Sequence, residues 1–188
     1  MTGTPSVVLD ACVLANFSLC DTLLRLAEPP RLFEPKWSEE IIRETTRTLE
    51  LKLGWPRSLT AHLEAELRGH FSEAWIGGYE SLVPRMTNDE EDRHVVAAAV
   101  KGEAPIIVTL NLRHFRPEHL EPWGIRAMHP QTFLIGIFQQ EQALAMAKLE
   151  QQAADRNRSL RQLLEVLSAT VPEFAMLVSE RGPAGRVT

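Results

Sequence analysis

Only two cysteines, Cys12 and Cys20, occur among 188 residues, with no zinc-type partner spacing around either. Read as members of one helix, they lie too far apart for a disulfide at a rise of ~1.5 Å per residue, so reduced core thiols are expected. No apolar run approaches the ~20 residues that cross a bilayer. The start, MTGTPSVVLD, has neither the basic segment nor the long apolar stretch of a secretory signal, so a soluble, cytoplasmic protein is expected. Basic charge is also short, at 20 Lys+Arg against 25 Asp+Glu, a formal net charge of −5. That deficit excludes attachment to nucleic acid through a bulk positive field. It leaves open a protein that engages phosphates through a bound metal and a few local arginines. A P-loop, a GxSxG elbow and an HExxH helix are missing, as are internal repeats and low-complexity tracts. What is present, 44% hydrophobic and 24% charged residues, suffices for one ordinary domain with an appendage.

Ser6–Leu9 is a short apolar run ending in Asp10 and reads as a buried strand of a parallel sheet. Val13, Phe17, Cys20, Leu24 and Ala27 recur at steps of three and four, predicting one helix closed by Pro29 and Pro30. Phe33 falls in a second short strand. A helix is expected to start around Trp37, with Ser38 as cap, Glu39 and Glu40 on the positive end of its dipole, and Trp37 stapled onto Ile42. It runs to Gly54. Another helix, from Ser58, carries Leu59, Leu63, Leu67 and Phe71. Ser81–Val83 reads as a brief strand, and Asn88 with Glu91 as a capping box for a helix with Val95, Val96, Ala99 and Val100 inward. Ile106–Val108 is the clearest strand, Ile125–Met128 the last, and Pro130 opens a further helix. From Gln139 the composition shifts to Gln, Ala and Glu, with Leu160, Leu163, Leu164 and Leu167 as a helical stripe, and Glu180–Thr188 is expected to fray. Alternating strands and helices predict an α/β fold with a central parallel sheet, functional groups gathering where strands end.

Polar residues fall at that edge. Asp10 follows the first strand, Thr109 and Asn111 follow Ile106–Val108, Asp89 and Asp92 stand at a helix start, and Glu40 and Glu44 share one flank of the second long helix. Gathered carboxylates repel and need a cation. Oxygen ligands without a nearby Cys or His pair favour Mg²⁺ or Mn²⁺ over zinc. Such an ion retains waters, one of which can attack a phosphodiester. Each acid taken singly also reads as structural: Asp10 as a cap, Asp89 and Asp92 as cap and dipole partners, Glu40 and Glu44 as a solvated face. Their joint placement on one edge favours function.

In the segments VVLDACVLANF, PKWSEEIIRETTRTL, TNDEEDRHVVAAAV, IIVTLNLRHF and MHPQTFL, in that order, the chain resembles the PIN domain family, and within it the VapC-type toxins of toxin–antitoxin pairs. The resemblance spans about Ser6 to Phe138. It implies a three-layer fold with flanking helices, a nuclease domain over residues 1–138, and a helical extension and tail over 139–188. It further implies a Mg²⁺- or Mn²⁺-dependent endoribonuclease in which Asp10 and Asp92 bind metal, Glu44 rather than Glu40 is the mid-helix acid, and Asp89 is an outer acid. Asn111 and Thr109 would position water or the scissile phosphate. The implied partners are RNA, transfer RNA among the candidates, a cognate antitoxin, and a second copy in a homodimer. The chain departs from the family in having Asn111, then His114, where relatives carry a further acid. That departure supports an alternative: a catalytically weakened PIN-fold module that binds RNA or a partner. A phosphoryl-transfer enzyme of the haloacid-dehalogenase kind would want a second Asp where Cys12 stands. Arg43, Arg47, Arg93, Arg113, His114 and Arg116 are candidates for an RNA path, the arginines otherwise reading as solvated. The four tryptophans read as core in preference to base-stacking platforms.

Overall fold

The computed structural model describes residues 4–182, which fall into two compact units. One comprises the chain up to Asn16 together with Phe33–Met128, the other Phe17–Leu32 together with the chain from His129 onward.

The first unit is built on five parallel strands, β1 (Ser6–Leu9), β2 (Glu34–Ser38), β3 (Trp75–Ile76), β4 (Ile106–Val108) and β5 (Arg126–Met128), in the spatial order β3-β2-β1-β4-β5. Val7, Val8 and Leu9 of β1 and Ile107 and Val108 of β4 are fully buried, as central strands covered on both faces must be. The chain leaves β1 toward β2 on one side and returns to β4 on the other. The gap between the ends of β1 and β4 is therefore the point where strand order reverses, and the place where such sheets bind ligands. Helices α3 (Glu39–Leu53), α5 (Arg93–Lys101) and α6 (Pro117–Leu120) pack on this sheet, with α1 (Ala11–Leu14) and α4 (Arg57–His70) against α3. This is the PIN-like α/β architecture anticipated above, with flanking helices on a parallel sheet.

Caps set the helices that matter. Ser38 Oγ accepts from Ile41 N at 3.3 Å to start α3, and Gly54, at φ 69°, ends it in the left-handed conformation that a side chain resists. At the end of α5, a Cβ on Gly102 would lie 2.5 Å from Ile76 Cδ1, so a side chain there would push the Ile76 side chain of β3 aside.

Several expected elements differ. The helix read from Val13 to Ala27 is two, α1 and α2 (Phe17–Ala27), because Asn16 N bonds to Val13 O at 3.2 Å and tightens the turn before the helix can continue. Cys12 and Cys20 thus fall on different helices, and both are free. Trp37 lies in β2 instead of opening a helix, Ser38 both ends that strand and caps α3 as expected, and Phe33 lies just before the strand. Trp37 packs edge-on against Phe71 and Trp75, at 5.8 and 6.1 Å between ring centroids. Ser81–Val83 lies in a 3₁₀ turn (Glu80–Arg85) that Leu82 N to Tyr79 O helps close. The edge strand is β3, which pairs through two residues only. Asp89, not Asn88, caps the turn before α5, its Oδ1 accepting from Glu91 N at 3.3 Å. Leu59, on the stripe expected to be inward on α4, is 48% exposed.

The second unit is helical: α2 with α7 (Pro130–Gln140), α8 (Gln142–Asp155), α9 (Leu160–Leu167) and α10 (Pro172–Arg181). Leu163, Leu164 and Leu167 are buried, as their spacing requires, and Phe138 meets Phe174 edge-on at 6.1 Å. A capping box, Ser159 with Gln162, opens α9. The tail expected to fray from Glu180 is helical through Arg181, and residues 183–188 lie outside the described residues.

Candidate active site

Asp10 is 4% exposed at the end of β1, in the gap between β1 and β4. Burying a carboxylate is tolerable only if its lone pairs are met. Oδ1 accepts from Ala11 N at 2.7 Å, and Oδ2 accepts from Thr109 Oγ1 at 2.6 Å and from the Cys12 thiol at 3.0 Å. All three donors are neutral, so the charge is held in place and not cancelled. Thr109 is fully buried. Its hydroxyl, expected to face water or phosphate, is committed to Asp10 as donor and to Asn111 N (2.9 Å) as acceptor. It is a positioning group that ties the end of β4 to Asp10.

Cys12 was expected in the core, and instead lines the cleft beside Asp10 while accepting from Leu110 N at 3.3 Å. Burial, and then the Asp10 charge, push its thiol up to about 12, so it remains an S–H donor. Cys20 is fully buried, as expected, and burial pushes it up to about 12 as well.

Three further chain segments complete the site. Glu44 projects from the second turn of α3, with Oε1 3.2 Å from His94 Nε2. Glu40 lies one turn earlier and pairs with Arg43 away from the cleft, which separates the two glutamates that spacing alone left together. Asp92 ends the 3₁₀ turn Glu90–Asp92, where α5 begins. Its Oδ2 is 2.6 Å from His114 Nδ1. Burial raises the Asp92 carboxyl above its ordinary range, and the charges of Asp10 and Asp89 add to this, while the His114 bond pulls the other way. Asn111 follows β4, with Oδ1 accepting from Arg113 Nε at 3.0 Å and Nδ2 2.9 Å from His114 Nδ1.

Asp10, Glu44, Asp92 and Asn111 together line one open cleft of about 530 Å³. Asp89 lies outside that lining. Its carboxylate and those of Asp92 and the His114 ring nevertheless offer ligand atoms within 4.8 Å of one another. Among the described residues no lysine or arginine forms an ion pair with Asp10, Asp92 or Glu44. With Glu91, which also lines the cleft, four carboxylates there lack a lysine or arginine partner, a donor set that fits a hard divalent cation. Arg47 and Lys52, on the same flank of α3 as Glu44, line the cleft farther out. Of the other arginines, Arg93 donates to Asn88 O, Arg113 to Asn111 and His114, and Arg116 lies 4.0 Å from Glu118. Sequence reasoning read Cys12 as a core thiol and His94 as a surface or packed histidine, and took His114 as a missing acid and a candidate for the RNA path, not as a partner of Asp92. The only signal available in advance was the adjacency of His94 to Asp92 and of Cys12 to Asp10.

Comparison with known proteins agrees with this geometry. The family model of the PIN domain matches residues 6–113, the stretch that supplies every acid of the cleft. A Mycobacterium tuberculosis protein (strain ATCC 25618 / H37Rv) named "Putative ribonuclease VapC50" is 34% identical over 142 residues, covering 74% of this chain and 82% of the relative. Since the acids on the β1–β4 gap, the parallel sheet beneath them and the matched residues coincide, the chain belongs to the PIN domain family.

Proposed function

We propose that the protein is a metal-dependent endoribonuclease and the toxin of a toxin–antitoxin pair. The observation that carries this reading is the convergence of Asp10, Glu44 and Asp92, from three separate chain segments, on the cleft at the β1–β4 gap. Asp10 and Asp92 would hold Mg²⁺ or Mn²⁺ directly, with Asp89 as an outer acid and Glu44 reaching through water. When bound, such an ion stabilises charge on a phosphoryl oxygen and makes a water more acidic. Glu44 orients the attacking water. Asn111 offers its amide to that water or to the scissile phosphate, and Thr109 keeps the Asp10 carboxylate aimed by its 2.6 Å bond. Arg47 and Lys52 supply local positive charge to an RNA backbone in a chain whose net charge would repel it. In-line attack leaves a 5′-phosphate and a 3′-hydroxyl.

In this reading the catalytic domain spans residues 1–138, with 139–188 as an appended helical segment. The protein acts in the cytoplasm as a homodimer on structured RNA, transfer RNA among the candidates, and is silenced by an antitoxin encoded beside it. The test is incubation of the purified chain with total RNA in Mg²⁺, Mn²⁺ or chelator, with fragment ends mapped. Discrete cleavage that needs the metal and yields 5′-phosphates is expected. RNA binding without cleavage in any metal would replace this reading with that of a catalytically weakened binding module, which the Asn111 and His114 departure favours. Co-purification with the product of the neighbouring reading frame, and sedimentation mass, test the antitoxin and the dimer.

A further inference from the structure

Beyond Glu44, the outer flank of α3 continues the wall of the cleft. Leu51 follows Glu44 by two helical turns, about 10 Å along the axis and within roughly 20° of it around the helix. It is 73% exposed and lines the cleft. One exposed leucine is ordinary on a protein surface, and it is the neighbours that make this one informative. Arg47 and Lys52 line the same wall, roughly 60° to one side of Glu44 and about 80° to the other, so the two cations straddle the leucine. Among the described residues neither forms an ion pair, whereas Arg43 and Arg57 nearby are paired with Glu40 and Glu50. Leu53 is exposed too, but it falls about 180° from Glu44 and outside the lining of the cleft.

We propose that this flank is a nucleotide subsite, in which Leu51 seats the base of a nucleotide adjoining the one that is cut, while Arg47 and Lys52 hold the phosphates on its two sides. A cation, an apolar side chain and a second cation, in that order across the wall, match phosphate, base face and phosphate along a strand. Seating a base on Leu51 takes apolar surface of both partners out of water. The ~10 Å from Glu44 puts the seat beyond the scissile phosphate, on a neighbour of the reacting nucleotide. A contact so far from the breaking bond is made equally in the bound state and in the transition state, so it governs which RNA is held and not how fast the bond is cut. Contact with a base face, without hydrogen bonds to the base edge, gives a modest preference, and the larger purine covers more of Leu51 than a pyrimidine does. The inference rests on the ribonuclease reading above and assigns the residue that selects the neighbouring nucleotide.

The test uses the full chain and a synthetic RNA oligonucleotide spanning a mapped cleavage site, beside copies that carry a single abasic ribose at successive positions around the cut. For the parent, one abasic position near the cut should raise KM about fivefold with kcat unchanged. Leu51→Ala should raise KM on the intact oligonucleotide by a similar factor and lose nothing further on that abasic copy. Leu53→Ala, an equal truncation on the opposite face, should match the parent throughout. Arg47→Gln and Lys52→Gln should each flatten the dependence of log KM on log salt by about 0.7. Leu51 faces solvent, so its truncation leaves the fold in place, which thermal melting checks. A Leu51→Ala effect of the same size on every abasic copy, or no effect at all, overturns the subsite, while cleavage by the parent leaves the nuclease reading intact. If the parent cuts no RNA, the nuclease reading falls, and the same abasic scan on unstructured oligonucleotides, titrated by fluorescence anisotropy, decides the subsite: coupling of Leu51→Ala to one base upholds it, and the lack of any coupling overturns it as well.

Discussion

Each compact unit holds a cluster of acids, and the two treat them in opposite ways. In the helical unit, Asp21 pairs with Arg25 at 3.2 Å and with Arg156 at 3.3 Å, and Asp155 pairs with Arg25 at 2.6 Å. Buried Gln152 donates to Asp21 and accepts from Thr22, closing a network that runs from the buried Gln152–Thr22 pair to exposed Asp155 and in which each acid has an arginine partner. The Arg25 bond holds the Asp155 carboxyl below the ordinary range. In the sheet unit, Asp10 and Asp92 have as partners a thiol, a hydroxyl, a backbone N–H and a histidine, and Asp92 is displaced upward. Nothing in hydropathy distinguishes the two sets of acids. Their counter-charges do: a structural network carries its own cations, and a site built to receive a cation leaves its acids short of them.

The comparison breaks most visibly at Asp10. Asp10→Asn retains an acceptor for Ala11 N and a similar shape, so the fold should survive with a loss of about 1–2 kcal/mol in denaturant unfolding. Metal-dependent RNA cleavage should fall by a factor on the order of 10²–10³. Undiminished cleavage would mean that the acid is a helix cap and no more. The opposite pattern is expected in the helical unit. Gln152→Ala removes a buried amide that joins α8 to Asp21 and Thr22 of α2, so stability should drop by about 2–3 kcal/mol with cleavage per folded molecule unchanged. Both quantities come from the same protein preparations, by denaturant titration and RNA gel.

Acidity sharpens the contrast, because the two shifts have opposite signs. The Asp155 carboxyl is depressed, so its contribution to stability is present above the unfolded value, ~4, and is lost as pH falls through the lower folded value. The Asp92 carboxyl is raised, so its contribution is present below ~4 and is lost as pH rises through the folded value. In chelator, Asp92→Asn should therefore melt at a higher temperature than the parent at neutral pH, with the gap closing as the pH is taken down to ~4 or below. Asp155→Asn should melt lower than the parent at neutral pH. Adding Mn²⁺ should restore the parent over Asp92→Asn, since only a protein that binds the ion gains by it. An Asp92→Asn protein that is less stable in chelator at neutral pH would show its carboxylate to be structurally satisfied, like Asp155.

How much of this was legible in advance follows from the distance over which each feature is encoded. β1 and β4 are uninterrupted apolar runs with an acid or amide at the end, and α3 has a serine cap and a closing glycine, so local pattern sufficed to place Asp10, Glu44 and Asn111 near one edge. β3 has two residues, too few for any alternation, and its pairing with Trp37 crosses nearly forty positions. The break at Asn16 leaves no proline or glycine as a marker. Cys12 bonds to Leu110 98 positions away, His94 to Glu44 at 50, and His114 to Asp92 at 22. Such pairs belong to the tertiary arrangement. Only the convergence of acids, which the order of segments already implied, could be read from the chain by itself.

The smallest effect probes the missing acid. A carboxylate at position 111 would add a charge to the cleft, and at an effective dielectric of about 20 a unit charge ~4 Å from an ion is worth on the order of 4 kcal/mol before desolvation. Two observations reduce that figure. Asn111 already offers an amide oxygen, and that oxygen accepts from Arg113 Nε at 3.0 Å, so a new carboxylate would pair in part with Arg113 instead of the ion. Asn111→Asp should therefore tighten Mg²⁺ binding by less than about tenfold, and its effect on turnover can take either sign because a second acid also reorients water. Distance along the loop suggests that His114→Asp should do less. The 2.6 Å contact of His114 with Asp92 removes that reason: an acid there adds charge directly beside Asp92, and its gain for Mg²⁺ should equal or exceed that of Asn111→Asp. Calorimetric Mg²⁺ titrations of both variants beside the parent, at one pH and ionic strength, rank them. If Asn111→Asp leaves affinity unchanged while His114→Asp raises it, the ion sits on the Asp89–Asp92–His114 side of the cleft. If neither variant gains, the acids of the sheet unit are not the metal site, and their contrast with the helical unit reduces to a difference in exposure.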